Sequence, residues 1–164
     1  MLETSAVPQT SPSTSAKYLA FALGGEEYAI EILRVQEILG LLPITRVPRM
    51  PSSVRGVVNL RGKVIPIMDL RAALGLPVDA AASESCIIVV QVRGVQVGVL
   101  VDSVSEVTAI AVDQIEPPPS FGDGVRTHCL CGIAKSGTRV RLLLDIEQAL
   151  SADIVRGVAG PSFA

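Results

Sequence analysis

The residues best suited to covalent chemistry lie in the segment THCLC, residues 127–131. His128 is the sole histidine of the chain, so a serine or cysteine nucleophile would depend on it as a base. The sequence places no obvious carboxylate near His128 that would orient its imidazole ring. Asp69 and Asp145 suggest a carboxylate pair for acid–base work, but each precedes a short helical pattern and is equally explained as a helix N-cap. We therefore expect no enzymatic activity.

A zinc site would require Cys129 and Cys131 together with His128, and Cys86 as a fourth ligand. Strand alternation places Cys129 and Cys131 on one face and His128 on the other, and no CxxC pair exists. The glycines form no phosphate-binding loop and no GxGxxG motif, so we expect neither a metal nor a cofactor. An odd number of cysteines, three, fits reduced core thiols better than a disulfide framework.

The composition favours a β-rich core. Apolar residues make up 49% of the 164 residues, but aromatic residues only 3%, and tryptophan is absent. A core of Val, Ile, Leu and Ala suits a pleated sheet. The apolar runs are too short to span a membrane, and the N-terminus lacks a signal-peptide pattern. We therefore expect a soluble cytoplasmic protein.

Charge is distributed unevenly along the chain. Fourteen basic residues against sixteen acidic residues argue against a dedicated nucleic-acid binder. Between residues 34 and 71, however, seven basic residues stand against two acidic ones. Such a polarised surface would steer the protein onto an acidic patch of a partner. The alternative is a set of solvated arginines on loops.

An internal repeat relates the two halves of the chain. The segment GEEYAIEILRVQEI from Gly25 aligns with GVQVGVLVDSVSEV from Gly94 at an offset of 69 residues. Three further residues recur at an offset of 76, namely Val64, Asp69 and Leu74 as Val140, Asp145 and Leu150. The repeat predicts two similar β lobes, each closed by a short helical turn. A groove between them is the default binding site.

The repeat sets the expected domain organisation. The two lobes occupy roughly residues 17–85 and 86–150, within one domain of residues 17–150. Residues 1–16 are rich in Ser, Thr and Pro and are expected to form a disordered tail. Residues 151–164 are expected to form a second tail.

Four segments, in this order and at this spacing, resemble the CheW family of bacterial chemotaxis coupling proteins. They are FALGGEEYAIEILRVQEI, ITRVPRMPSSVRGVVNLRGKVIPIMDLR, VGVLVDSVSEV and GIAKSGTRVRLLLDIEQAL. The resemblance covers roughly residues 17–150. It implies a mainly β fold with short helices, in which two five-stranded SH3-like barrels are intertwined.

The same resemblance implies a non-enzymatic adaptor for signal transduction in chemotaxis. Such adaptors join the cytoplasmic tips of methyl-accepting chemoreceptors to the regulatory domain of the histidine kinase CheA. They let receptor occupancy control kinase autophosphorylation, and they are recruited to membrane-associated receptor arrays without inserting into the membrane. Ring or array assembly with the kinase is a further expectation.

The receptor-binding site that the resemblance implies lies in the groove between the lobes. Its expected residues are Val35, Glu37, Gly56, Asn59, Arg61, Gly62, Val104 and Val107. The planar guanidinium of Arg61, at a hairpin bend, would pair with the receptor tip, and Asn59 would hold the bend. The alternative for Arg61 is to orient the groove without touching the receptor. For the three valines the alternative is core packing.

The kinase-binding residues that the resemblance implies are Leu39, Leu41, Leu42, Glu116 and Phe121. The three leucines belong to the run ILGLLPI, which has more apolar residues than its strand needs and would supply a docking patch. Burial in the first lobe is their alternative. Glu116 departs from the cation that family members carry, which bears on how ring-like arrays close.

Two other functions are compatible with parts of the sequence. A CheW-like adaptor could serve a kinase pathway other than swimming, such as surface motility or development. A small β-barrel could instead bind RNA or single-stranded nucleic acid through the basic segment, but the chain lacks the aromatic stacking platform that such proteins use.

Overall fold

The computed structural model describes residues 15–51, 53–75, 85–118 and 129–153. These residues form strands, two short α-helices and two single-turn 3-10 helices. The strands are β1 (Ser15–Leu23), β2 (Glu26–Glu31), β3 (Val35–Gly40), β4 (Val54–Leu60), β5 (Lys63–Asp69), β6 (Cys86–Val92), β7 (Val95–Val101), β8 (Ser103–Ala111), β9 (Ile115–Glu116), β10 (Leu130–Ser136) and β11 (Arg139–Leu144). The α-helices are α1 (Leu70–Ala73) and α2 (Ile146–Asp153), and the 3-10 turns are Ile32–Arg34 and Val112–Gln114.

The strands form two sheets, and each sheet contains strands from both halves of the chain. One sheet has six strands in the order β8-β1-β2-β11-β10-β9, and the other has five in the order β3-β6-β7-β5-β4. The chain enters the five-stranded sheet after β2 and returns to the six-stranded sheet after β7. The predicted mainly β, intertwined fold is confirmed, with a two-residue sixth strand in one sheet. The boundary near residue 85 separates sequence repeats rather than sheets, because each half contributes strands to both.

The internal repeat corresponds to matching strand registers. Strands β2 and β11 run parallel, with Ala29 opposite Leu143. Strands β7 and β5 also run parallel, with Gly98 opposite Ile67. Offsets of 69 and 76 residues relate the two pairs, and these are the offsets found in the sequence. The two sheets are therefore equivalent structures built from exchanged strands.

Both predicted helix caps are present. The Asp69 carboxylate accepts a hydrogen bond of 3.0 Å from the backbone N–H two residues on, where α1 begins. The Asp145 carboxylate accepts from the backbone N–H groups two and three residues on, at 3.1 and 3.2 Å. Leu74 and Leu150, the repeat partners that follow, are both buried. Each half thus ends in a capped helical turn that covers the core, and these carboxylates have a structural role.

The main core lies where the two sheets meet. Phe21 and Ile30 of the six-stranded sheet belong to one buried cluster with Ile88 and Val99 of the five-stranded sheet. Two smaller clusters are each confined to one sheet. The core consists mostly of branched aliphatic side chains, which the scarcity of aromatic residues predicted.

The prediction that the three cysteines are core thiols does not hold for all of them. Cys129 is buried and Cys86 half-buried, but Cys131 is exposed. The register between β10 and β11 shifts between Leu130 and Gly132, and such a bulge breaks the alternation that put Cys129 and Cys131 on one face. The described residues contain no group of three side chains suited to a metal ion. His128 lies outside the described residues.

Gly56 lies where the five-stranded sheet closes on itself. The segment after β3 returns to β4, and Thr45 and Val57 exchange two backbone hydrogen bonds of 2.8 Å. Gly56 is buried, with a φ of 147°, a value that side chains rarely allow. A Cβ atom there would overlap the carbonyl oxygen of Thr45 and the side chain of Ile44. The close approach therefore requires glycine.

We expect Gly56→Ala to lower the free energy of unfolding by about 2 kcal/mol or more, because it adds both backbone strain and overlap. The matched control is Gly40→Ala on edge strand β3, where a Cβ atom would meet nothing within 4 Å. Urea unfolding of the two variants checks the prediction. Equal losses in both variants would show that the approach of Thr45 to Gly56 has no special importance.

Candidate functional site

The β4–β5 hairpin turns at Arg61 and Gly62, whose φ angles are 54° and 87°. Positive φ at both central residues is the geometry of a type I′ turn, which matches the twist of paired strands. The side-chain oxygen of Asn59 accepts a hydrogen bond of 2.8 Å from the N–H of Gly62. Asn59 therefore holds the bend, as the sequence predicted. Arginine is uncommon at positive φ, so the turn fixes this side chain at some conformational cost.

Arg61 forms a bidentate ion pair with Glu37. Its Nη1 donates to Oε2 at 2.9 Å, and its Nη2 donates to Oε1 at 2.5 Å. Glu37 lies on β3, at the opposite edge of the five-stranded sheet from the β4–β5 hairpin. The pair therefore connects the two edges of a curled sheet. This partner was not foreseen, although both residues were predicted for the same site.

The Arg61–Glu37 pair is open to solvent. The Arg61 side chain is 67% exposed and that of Glu37 28%. The hydrogen bond from Arg61 lowers the pKa of Glu37 below its ordinary value, against an opposing effect of burial, and the charge of Arg61 lowers this pKa further. The hydrogen bond from Glu37 raises the pKa of Arg61. Both groups are charged at neutral pH, and an exposed pair exchanges partners at little cost.

The predicted valines lie at the edges of the two sheets. Val35 on β3 and Val104 on β8 are half-buried and pack against the main core. Core packing thus accounts for much of their surface. Val107 on β8 is 51% exposed. The structure therefore joins the polar members of the predicted site in one cluster and places the valines on edge strands β3 and β8.

The predicted kinase-contact residues divide by exposure. Leu39 and Leu42 are half-buried and pack against the core cluster of the five-stranded sheet, whereas Leu41 is 56% exposed. Glu116 on β9 forms an exposed ion pair of 2.7 Å with Lys135. Phe121 lies outside the described residues. Of the leucines, Leu41 is the one most available to a partner.

A charge network around a buried arginine in the six-stranded sheet was not predicted from the sequence. Arg141 is buried, and its Nε donates to Glu27 at 3.0 Å while its Nη2 donates to Glu106 at 2.8 Å. Glu106 is the repeat equivalent of Glu37, and the equivalent of Arg141 is the buried Ile65. The repeat thus keeps the glutamate but changes its partner. Glu37 pairs with an exposed guanidinium, whereas Glu106 pairs with a buried one.

Most of the basic segment is neutralised within the molecule. Four of its seven cations form ion pairs with carboxylates, namely Arg34 with Glu147, Arg55 with Asp69, Arg61 with Glu37 and Arg71 with Asp102. Arg46, Arg49 and Lys63 are exposed and form no ion pair within the described residues. This segment is therefore a weak basis for nucleic-acid binding.

We expect Arg61→Gln to raise the pKa of Glu37 toward its ordinary value, because the hydrogen bond from Arg61 is the main cause of the depression. A depressed carboxyl pKa stabilises the fold above the unfolded pKa and ceases to do so as pH falls through the folded value. The variant should therefore lose stability at neutral pH but not in acid. NMR titration of the Glu37 side chain measures the pKa.

Lys63→Gln is the matched control, since Lys63 lies two residues further along the same hairpin without an ion pair in the described structure. It should leave the titration of Glu37 unchanged. An unaltered Glu37 titration in Arg61→Gln would show that the two groups do not interact in solution.

The fold and the exposed ion pair define a β-barrel module suited to binding another protein. Residues 17–153 match the family model of the CheW-like domain, and the chain belongs to this family, a family of scaffold proteins rather than enzymes. The sequence resemblance is thus confirmed. Within the described residues, no helix is long and apolar enough to cross a membrane.

Similar proteins cover most of the chain. The chemotaxis protein CheW of Klebsiella aerogenes is 39% identical over 137 residues, which are 84% of this chain and 82% of that protein. The chemotaxis protein CheW of Bacillus subtilis is 38% identical over 140 residues, 85% of this chain and 90% of that protein. The crystal structure of the scaffolding protein TtCheW from Thermoanaerobacter tengcongensis gives a TM-score of 0.75 at 33% identity, covering 82% of this chain and 92% of that one.

Proposed function

We propose that this chain is an adaptor that couples chemoreceptors to the histidine kinase CheA and lets receptor occupancy control kinase autophosphorylation. It works without chemistry of its own, in the cytoplasm, at the receptor tips of membrane-associated arrays. Family membership and the chemotaxis relatives support this function. The observation that carries it is the exposed, bidentate Arg61–Glu37 pair on a turn of fixed geometry.

The receptor site centres on Arg61. The positive φ of this residue and the Asn59 hydrogen bond restrict the turn, so its guanidinium is positioned before any partner arrives. A planar fork that already binds one carboxylate can bind a carboxylate of a receptor in the same geometry. Glu37 is then free to accept a donor from that receptor. The edge valines Val35, Val104 and Val107 add apolar contacts beside this polar pair.

The kinase site centres on Leu41. Its exposed side chain follows β3, and Leu39 and Leu42 on either side anchor the segment in the core of the five-stranded sheet. An exposed apolar side chain on a rigid base is a suitable anchor for a protein interface. The partner is the like barrel of the CheA regulatory domain. Glu116 and Phe121 belong to a second kinase contact, where the Glu116–Lys135 pair would have to open for Glu116 to reach a partner in a ring.

Co-sedimentation tests the proposed bridging. Receptor-containing membranes are mixed with the CheA regulatory domain, with and without this chain. We expect the regulatory domain to pellet only when the chain is present, because the adaptor supplies both contacts. A chain that pellets with the membranes yet leaves the kinase domain in solution, or pellets with neither, would contradict the proposal.

A charge exchange separates receptor contact from internal support. We expect Arg61→Glu to abolish pelleting of the chain with receptor membranes, because it places two carboxylates together and removes the fork. In the double variant Glu37→Arg with Arg61→Glu the internal pair can re-form, but with reversed polarity. If Arg61 contacts the receptor, the double variant stays inactive. Recovery of binding in the double variant would show that the pair serves only the fold.

We expect Leu41→Asp to weaken binding of the CheA regulatory domain by about tenfold or more, because it buries a charge in an apolar contact. Receptor binding should be unchanged. Leu33→Asp is the control, since Leu33 is 92% exposed on a different turn. Titration calorimetry with the purified kinase domain measures both variants. Equal effects of the two substitutions would remove Leu41 from the proposed interface.

A further inference from the structure

The chain changes sheets twice among the described strands. The first crossing, between β2 and β3, is the 3-10 turn Ile32–Arg34, and the second, between β7 and β8, is the single residue Asp102. The shared core packs the two sheets together, and the way in which these crossings are held is a second constraint on the orientation of one sheet relative to the other.

Asp102 connects both sheets through its carboxylate. Arg71, at the start of α1 after β5, donates from Nε to Oδ1 at 3.1 Å and from Nη2 to Oδ2 at 2.6 Å. The backbone N–H of Gly24, in the β1–β2 turn of the six-stranded sheet, donates to Oδ2 at 2.9 Å. The Asp102 N–H also donates to the carbonyl of Ala22 at 3.1 Å. One side chain thus binds a group from each sheet.

The Arg71–Asp102 pair is well shielded from water. The Arg71 side chain is 13% exposed and that of Asp102 25%. Burial by itself would raise the pKa of Asp102, but the hydrogen bonds from Arg71 and Gly24, together with the charge of Arg71, lower it below its ordinary value. Asp102 is therefore ionised at neutral pH. Bidentate, charge-assisted bonds of this kind impose a defined geometry.

Among the residues that the structure describes, the first crossing has no equivalent bidentate connection. Leu33 occupies the repeat position of Asp102, and its side chain is almost wholly exposed. The repeat position of Arg71 is Glu147, which forms only a long ion pair of 3.7 Å with Arg34. The 3-10 turn itself has no side-chain cap. The two crossings are therefore held unequally, and the second is the more tightly fixed.

We infer that Asp102 is a positioning residue that sets the orientation of the two sheets. In so doing it places the β8 edge, with Val104 and Val107, relative to the Glu37–Arg61 pair on the other sheet. A receptor that contacts both sheets would then bind only when this orientation is kept. This consequence for the receptor rests on the proposed function, whereas the orientation itself does not.

Electron–electron distance measurements test the orientation. Spin labels are attached through Val64→Cys on β5 and Val140→Cys on β11, two exposed repeat positions on different sheets, with the native cysteines replaced by serine or alanine. We expect Asp102→Ala to widen the distance distribution at least about twofold, since a two-sheet hinge would be released. Asp102→Asn, which keeps an acceptor for Gly24, should give an intermediate width. Arg34→Gln, at the other crossing, should leave the distribution unchanged.

Two controls test whether a wider distance distribution reflects only a general loss of structure. The first is a conservative substitution of Arg71, and the second is a check that each variant is folded. Arg71→Lys keeps the charge and should retain a narrower distribution than Arg71→Gln. Circular dichroism and urea unfolding establish that every labelled variant is folded at the temperature of measurement. The inference would be overturned if the distance distributions of Asp102→Ala and Asp102→Asn were as narrow as that of the native chain.

Measurements of receptor and kinase binding distinguish failure of this inference from failure of the proposed function. Because the orientation of the two sheets is less restricted in Asp102→Asn, we expect this variant to bind the receptor about tenfold more weakly. Its binding to the CheA regulatory domain should be unchanged. If the distribution widens but receptor binding persists, while Arg61→Glu abolishes it, the role of Asp102 in receptor binding is contradicted. If the native chain binds no receptor, the proposed function fails, and the distance distributions alone decide the role of Asp102.

Discussion

Parallel pairing between distant strands is the constraint on which the structure depends. Strand β2 pairs with β11, and β5 pairs with β7, so each sheet is completed by strands from both halves of the chain. Parallel neighbours need long connections. Between β2 and β11 the connection includes the whole five-stranded sheet, and between β5 and β7 it includes α1 and β6. Neither repeat can complete a sheet by itself, and the aliphatic side chains of both sheets enter one core. The receptor and kinase sites proposed for this adaptor therefore belong to one domain with a shared core.

Unequal side chains at equivalent positions make the two sheets chemically different. Glu37 and Glu106 correspond in the repeat, but Glu106 is held by the buried Arg141 and Glu37 by the exposed Arg61. The same contrast separates the two crossings, where Asp102 corresponds to Leu33. The guanidinium partners differ most in exposure, since the Arg141 side chain is 9% exposed and that of Arg61 67%. We propose that the duplicated barrel therefore presents one accessible guanidinium instead of two.

Sequence patterns predicted the features that depend on local chemistry. The Asp69 and Asp145 caps and the turn at Arg61 and Gly62 follow from residue types at fixed spacing, as does the aliphatic core. The role of Asn59, whose side-chain oxygen accepts a hydrogen bond from Gly62, was expected with the family resemblance. The exchange of strands was predicted from the family resemblance, not from periodicity. Partners of charged residues were missed, because Glu37 and Arg61 meet across a curled sheet and Asp102 and Arg71 across 31 residues. The exposure of Cys131 was missed because a bulge interrupts strand alternation.

We propose that this chain transmits the state of a receptor to a kinase without chemistry of its own. The most direct test of this proposal is the initial rate of CheA autophosphorylation with receptor-containing membranes, measured with and without the chain and with and without the attractant of that receptor. We expect the rate to rise only when the chain, receptor and kinase are together, and we expect the attractant to reverse the rise. A rate that the chain leaves unchanged, in a mixture where the kinase alone autophosphorylates, would contradict this proposal.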